Sequence, residues 1–379
     1  MDVTDYYGMF VKKHKENIKK MGYANIIIAG KTGVGKSTLI NVAFRENLAE
    51  TGIGNPVTKG IQLMQKEDFP LRIYDTIGLE LDEKSKQKSI GEMIGLIKNN
   101  NSSGDEKNAI HLMWYCIASP SRRIESAEEE FIREVSKHIP VVIVLTQSYI
   151  KSEAAELKSY IEKKNLGIKN ILMLLAKDQP ITDKLTVAAY GVEDLIEYSL
   201  LLFPEQARDA FINAQKASLK LKRDRANLII TITASAAFGA GFIPLPFADA
   251  AALVPTQIGM LAGISTTYGI NITKNTLNAF ITSLVGPGMA TLAGRAMVAN
   301  LFKLIPGAGT AVGGVISGST AMIITVALGK TYMFVVEAIV KGEISEATLN
   351  SESFKKKLLG IFKQNIKKTS KEKSKKKAI

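Results

Sequence analysis

The feature that most limits what this chain can fold into is the run Gly30-Lys31-Thr32-Gly33-Val34-Gly35-Lys36-Ser37-Thr38. It satisfies the pattern G-x-x-x-x-G-K-S/T through Gly30, Gly35, Lys36 and Ser37. The apolar run Ile26-Ile27-Ile28-Ala29 precedes it, and a helical pattern from 39 to 45 follows. Strand, glycine-rich turn and helix are the setting a phosphate-binding loop requires. Glycines let successive backbone N–H groups converge on phosphate oxygens, and the helix N-terminus adds partial positive charge. Lys36 is expected to reach the β- and γ-phosphates, and the Ser37 hydroxyl a magnesium ion. An accidental glycine turn is the competing reading, and the motifs downstream weigh against it.

From 23 to about 203, apolar runs alternate with helical patterns. The runs lie at 24–29, 61–65, 71–75, 111–118, 141–146 and 171–176; the helical patterns lie near 85–98, 124–138, 151–165 and 191–202. Several runs are continuous in Ile, Val and Leu, as strands buried on both faces are. This predicts an α/β domain, with a mostly parallel sheet covered by helices on both faces. Ligands on such sheets sit at the carboxyl ends of the strands. Asp75-Thr76-Ile77-Gly78 closes one of the runs. There Asp75 is placed to hold magnesium through water, and the Gly78 N–H to touch a γ-phosphate. Gly54-Asn55-Pro56-Val57-Thr58-Lys59-Gly60 reads as a mobile loop. Thr58 within it is the candidate to add a hydroxyl to magnesium and an N–H to the γ-phosphate. A plain loop threonine is the alternative.

GKTGVGKST, Pro56-Val57-Thr58 and Asp75-Thr76-Ile77-Gly78, in this order and spacing, resemble the translation-factor-related GTPases, specifically their Era-like branch. The resemblance covers roughly the first half of the chain. It implies a P-loop GTPase domain that binds GTP and magnesium and switches conformation or hydrolyses slowly. It implies that the whole run 30–38 wraps the phosphates, that Ser37, Thr58 and Asp75 serve the metal, and that Lys36, Thr58 and Gly78 serve the reaction. Family members usually read guanine with N/T-K-x-D. Here Thr146 matches, Gln147 replaces the lysine, and Tyr149 stands in the aspartate's place. Ala176-Lys177 matches the looser final base motif, usually S-A-K. Thr146, Gln147, Ala176 and Lys177 are therefore the expected base contacts, and Asp178 or Glu153 are candidates to replace the missing carboxylate. Leu79 occupies the place of the water-orienting glutamine of Ras-like relatives, and a leucine cannot position water. Slow hydrolysis stimulated by self-association, through a GTPase-domain homodimer, or by a partner is the expectation. Arg122 and Arg123 could approach a phosphate in cis or in trans, or form salt bridges with Glu125 or Glu128.

The rest of the chain is of a different character. Residues 1–22 read as an amphipathic helix, 23–205 as the GTPase domain and 206–225 as a charged helical connector. Between 225 and 330 the only ionisable side chains, tyrosine apart, are Asp249, Lys274, Arg295 and Lys303. The intervening stretches 226–248, 250–273, 275–294 and 304–329 each reach spanning length, about 20 residues, and G-x-x-x-G spacings would allow close helix contact in lipid. An all-α apolar domain over 226–341 is expected, inserted in or tightly associated with a membrane; a soluble bundle with small residues at tight crossings is the alternative. Phe242-Ile243-Pro244-Leu245-Pro246-Phe247-Ala248-Asp249 and Leu304-Ile305-Pro306-Gly307-Ala308-Gly309 resemble an uncharacterised apolar helical domain that follows Era-like G domains in many bacterial proteins. The layout is also similar, in outline, to that of the immunity-related GTPases.

Net charge is +13, but 355–379 holds eleven lysines and one acid, so the body is nearly balanced. The tail, 342–379, places Phe354, Leu358, Ile361, Phe362 and Ile366 at helical spacing among lysines, which suits an anionic bilayer and the cytoplasmic side. No nucleic-acid module accompanies it, so nucleic acid is not the expected partner. The single cysteine, Cys116, excludes an internal disulfide and fits a reducing, cytoplasmic setting.

Overall fold

Six consecutive buried residues, Ala24–Ala29, form strand β1. A strand buried on both faces must be covered on both by other elements. A computed structural model describes residues 5–46, 48, 54–58, 60–76, 86–240, 249–285 and 318–377 of the chain. In it β1 lies inside a seven-stranded sheet of order β2 (Gly54–Thr58), β3 (Ile61–Gln65), β4 (Leu71–Thr76), β1, β5 (Leu112–Ala118), β6 (Val141–Thr146) and β7 (Asn170–Met173). Strands β4, β1, β5, β6 and β7 are parallel; β3 runs antiparallel to β4 and β2 to β3. Helices α3 (Lys86–Asn101), α4 (Ser126–Ser136) and α5 (Lys151–Glu162) cover one face. There Met93, Phe131 and Leu157 join the strand residues Ile27, Tyr115 and Ile143 in one core. On the other side are α2 (Lys36–Ala43), α6 (Val192–Leu202) and α7 (Glu205–Ala214). Phe44 stacks on Trp114 at 5.8 Å, and the Trp114 indole N–H donates to Ser199 Oγ at 2.9 Å. The α/β plan expected from the sequence is the observed one.

Three local features differ from the sequence reading. Residues 54–58, expected as loop, form β2, because pairing with β3 gives that segment's backbone its hydrogen bonds. A small hairpin, β8 (Gln179–Thr182) and β9 (Leu185–Val187), follows β7. The segment 206–225, expected as one connector, carries two helices. Helix α7 ends at Ala214, and the buried Gln215 side chain closes the turn by accepting from Ser218 N and donating to Ser218 O, both at 2.8 Å. Helix α8 (Leu219–Ala240) then begins.

The chain divides into two compact units, 21–219 and 1–20 with 220–379. The second contains α1 (Tyr6–Lys20), α8, α9 (Asp249–Tyr268), α10 (Lys274–Val285), α11 (Gly318–Val340), α12 (Glu346–Asn350) and α13 (Glu352–Lys377). From 257 to 268 every residue of α9 except Gly259 is buried, so this helix is the axis of the unit. Small residues set the spacing: a Cβ at Gly329 would lie 2.6 Å from Ile230 Cγ1. Several polar groups on and beside α9 are matched. The His14 ring bonds Thr266 Oγ1 at 2.9 Å and Asn271 Oδ1 at 3.1 Å, Ser265 Oγ bonds Tyr332 OH at 2.8 Å, and Tyr268 OH donates to Glu337 at 2.6 Å. Tyr6, Phe10 and His14 are the buried residues of α1, whose neighbour is α9.

Two expectations for the apolar half change. Phe354, Leu358, Phe362 and Ile366 of the tail, read as a bilayer-facing stripe, are buried, and α13 packs on α10 and α11. Among the described residues, α11 is the one helix long and apolar enough to cross a membrane, and just over half of its most apolar window is buried. Residues 241–248 and 286–317, with their proline and glycine motifs, lie outside the described residues.

Candidate phosphate and base site

The phosphate loop leaves β1 at Gly30, whose φ is +139°. A Cβ there would lie 2.3 Å from the Cys116 carbonyl oxygen on β5, so only glycine lets the loop pass this close to the strand. Gly33 and Gly35 have φ +78° and +94°, and Gly35 is the left-handed N-cap of α2. Lys36, the first residue of α2, is buried; its ammonium donates to Gly30 O at 2.8 Å and to Lys31 O at 3.1 Å. The loop therefore wraps its own lysine, while Ser37 in the first turn of α2 is exposed.

Asp75 pairs in register with Ile28, one strand over from the loop. Burial pushes its carboxyl up to about 6, with the nearby Lys36 ammonium pulling the other way. Its Oδ1 is buried and accepts no hydrogen bond among the described residues. An orphaned carboxylate oxygen beside a lysine-filled loop is a defect in an ordinary core. It fits a hydrated divalent cation, and Ser37 supplies a second oxygen of the kind magnesium takes. Thr58 lies at the end of β2, and nothing is described of its side chain; Gly78 and Leu79 lie outside the described residues.

The Asp75 carboxyl sits above its ordinary value of 3.8, so the proton competes with metal as pH falls through about 6, not through 4. Magnesium-dependent nucleotide affinity is expected to drop about tenfold per pH unit below that point. The drop is read as the difference between the wild-type and Asp75→Asn profiles from pH 5 to 8, since the variant has no carboxyl to titrate. Coincident profiles would remove Asp75 from the metal site.

The end of β6 closes the other side of the loop. Thr146 Oγ1 donates to Val34 O at 2.6 Å, and Gln147, held at φ +53°, donates from Nε2 to Gly33 O at 3.0 Å. Ser148 N bonds Leu174 O at 3.1 Å, and Tyr190 OH donates to Ser148 O at 2.7 Å. These bonds join 146–149, 174–177 and 190 into one wall, and the predicted base residues Thr146, Gln147, Ala176 and Lys177 lie on its two segments. Tyr190 was not anticipated from the sequence, because nothing local marks a partner 42 residues away from Ser148.

Residues 25–176 match the family model described as 50S ribosome-binding GTPase. This segment is a P-loop GTPase domain. Magnetosome membrane protein 22 of Magnetospirillum gryphiswaldense (strain DSM 6361 / JCM 21280 / NBRC 15271 / MSR-1) is 34% identical over 102 residues, which are 26% of this chain and 50% of that protein. The chain thus spans about half the length of the curated relative it matches. Among solved structures, a probable GTP-binding protein engB is similar at 18% identity and TM-score 0.31, over 40% of this chain and 89% of that one. Translation elongation factor SelB from Methanococcus maripaludis, apo form, is similar at 17% identity and TM-score 0.27, over 41% and 29%.

In this GTPase domain both arginine candidates are engaged by acids. Arg122, at φ +52°, pairs with Glu153 at 3.3 Å and Glu156 at 2.9 Å, rather than with the acids expected. Arg123 lies 3.7 Å from Glu125. The sequence reading missed the clamp on Lys31, whose ammonium is 2.5 Å from Glu125 and 3.8 Å from Glu128. Glu128 in turn accepts from Tyr115 OH at 3.1 Å and from Glu125 N at 2.9 Å. The E-x-x-E spacing at 125–128 was the available signal, since it marks a capping box.

Proposed function

We propose that this chain is an Era-like switch that binds GTP with magnesium, hydrolyses it slowly alone, and changes the posture of a helical unit associated with the cytoplasmic face of a membrane. The observation that carries the reading is a loop-wrapped Lys36 ammonium near enough to act electrostatically on Asp75, whose buried Oδ1 has no partner among the described residues. In this reading Lys36 holds the β- and γ-phosphates, the backbone of 30–38 surrounds them, and Ser37, Thr58 and Asp75 hold the metal, Asp75 through water. The Gly78 N–H marks the γ-phosphate. Magnesium held there would neutralise phosphate charge. Thr146, Gln147, Ala176 and Lys177 surround the base.

The membrane part is supported by the apolar helix α11, by the exposed apolar residues Leu228 and Ile232 on α8, and by the lysines of α13. The name of the magnetosome relative points the same way. Because Leu79 cannot orient water and Arg122 is held by two acids, the assisting group is assigned to a second copy or a partner. Phosphate release per molecule is expected to rise with protein concentration, and further with anionic vesicles. A rate that is fast and concentration-independent would overturn the stimulated-hydrolysis part. A rate near zero under every condition would favour a non-enzymatic scaffold gated by GTP. Carbonate extraction of cell membranes tests the location; release to the soluble fraction together with RNA-dependent sedimentation would instead favour a ribosome- or RNA-associated protein.

A further inference from the structure

On the guanine-nucleotide reading above, we infer that the base wall of this domain reads the 6-oxo edge of a purine but not its 2-amino group, so that inosine and guanosine triphosphates are accepted alike. Thr146 and Gln147 bond the carbonyls of Val34 and Gly33, so the end of β6 is fixed against the phosphate loop. A nucleoside attached to phosphates in that loop leaves along the wall formed by 146–149 and 174–177.

The wall offers donors. Leu174 N and Leu175 N are spent on Leu145 O and Tyr190 O, but Ala176 N and Lys177 N meet no acceptor among the described residues. Unpaired N–H groups complement an oxo oxygen and repel an amino group at the same place.

A carboxylate without another partner is what the wall lacks. Reading N1–H and the 2-amino group together takes two oxygens side by side, which a carboxylate provides. Tyr149 brings a single phenol oxygen, and its backbone N–H is turned to Gln147 O at 2.9 Å. The two carboxylates that could substitute each already have another partner. Asp178 Oδ1 accepts from Ala189 N at 2.7 Å, where the chain leaves the β8–β9 hairpin. Glu153 accepts from Arg122 Nη1 at 3.3 Å. The 2-amino group of guanine therefore finds no carboxylate free of another partner, and deleting it costs little.

The test is competition against a fluorescent GTP analogue on the full chain with magnesium, using GTP, ITP and ATP. Dissociation constants for GTP and ITP are expected to agree within about threefold, where a carboxylate reader would favour GTP by about ten- to hundredfold. ATP is expected to bind at least about tenfold more weakly than ITP. Tyr149→Asp should restore a preference for GTP over ITP of about tenfold or more, while Asp178→Asn and Glu153→Gln leave the wild-type ratio unchanged. A wild-type preference for GTP over ITP above tenfold overturns the inference, and its collapse in Asp178→Asn or Glu153→Gln would name the carboxylate responsible. ATP binding as tightly as ITP overturns the 6-oxo part. Binding of no triphosphate at all would instead overturn the functional reading on which the inference stands.

Discussion

Replacing Lys36 by alanine is expected to weaken magnesium-GTP binding by two to three decades while leaving the domain folded. The ammonium is buried and surrounded by the carbonyls of Gly30 and Lys31, so no other cation in the loop's interior can take its place. A unit charge about 4 Å from a phosphate oxygen contributes about 4 kcal/mol at an effective dielectric of 20, and each 1.4 kcal/mol is about tenfold in affinity. The fold should survive, because Thr32 and Gly33 leave the loop open to water that can solvate the two freed carbonyls. Calorimetric titration with GTP measures the loss, and a thermal melt checks the fold. Unchanged affinity would remove the phosphate site, and with it the proposed function.

Gly30→Val is expected to produce the largest loss of stability of any single change in the loop. The new Cβ would lie 2.3 Å from the carbonyl oxygen of the fully buried Cys116, a backbone atom that has nowhere to retreat. The φ of +139° adds strain of about 1–3 kcal/mol for a residue with a side chain. With displacement of β5 included, a total near 4 kcal/mol is expected, which lowers the melting temperature of a domain of this size by about 10 °C. Trp114, the only tryptophan in the chain, lies buried on β5, so its fluorescence follows this unit alone. Gly33→Ala is the control. Its φ is +78°, but a Cβ there meets nothing within 4 Å, so only the backbone strain remains and the shift should be a few degrees. Equal shifts in the two variants would show that the close approach at Cys116 is not what requires glycine.

Much of the first unit was legible because its signals are local. A continuous apolar run at 24–29, a glycine-rich turn and a helical pattern fix β1, the loop and α2 through residues adjacent in sequence. The carboxylate Asp75 was legible from its place at the end of an apolar run. That its Oδ1 would be buried without a donor was not, since this depends on β4 pairing with β1. The loss of the base-reading aspartate could be read directly at Tyr149. The engagement of Asp178 and Glu153 could not, because Ala189 and Arg122 are 11 and 31 residues away from them. The strand β2 was missed for the same reason: Asn55 and Pro56 look like turn residues, and only the partner β3 makes them a strand.

The second unit marks the boundary most clearly. An apolar stripe of Phe354, Leu358, Phe362 and Ile366 determines that a helix here must bury one face. It does not say against what, and lipid and protein both satisfy the pattern. The tertiary structure decides for protein, with α13 packed on α10 and α11. In the same way, Tyr6 and Phe10 establish that the first helix is amphipathic, but its partner α9 lies over 200 residues further on, beyond the whole GTPase domain. Sequence alone determined the phosphate loop, the alternation of the first half and the low charge of the second, because composition and short-range spacing carry them. Which apolar faces meet, and which polar atoms are left without partners, came only from the folded chain, because those depend on contacts between residues remote along it.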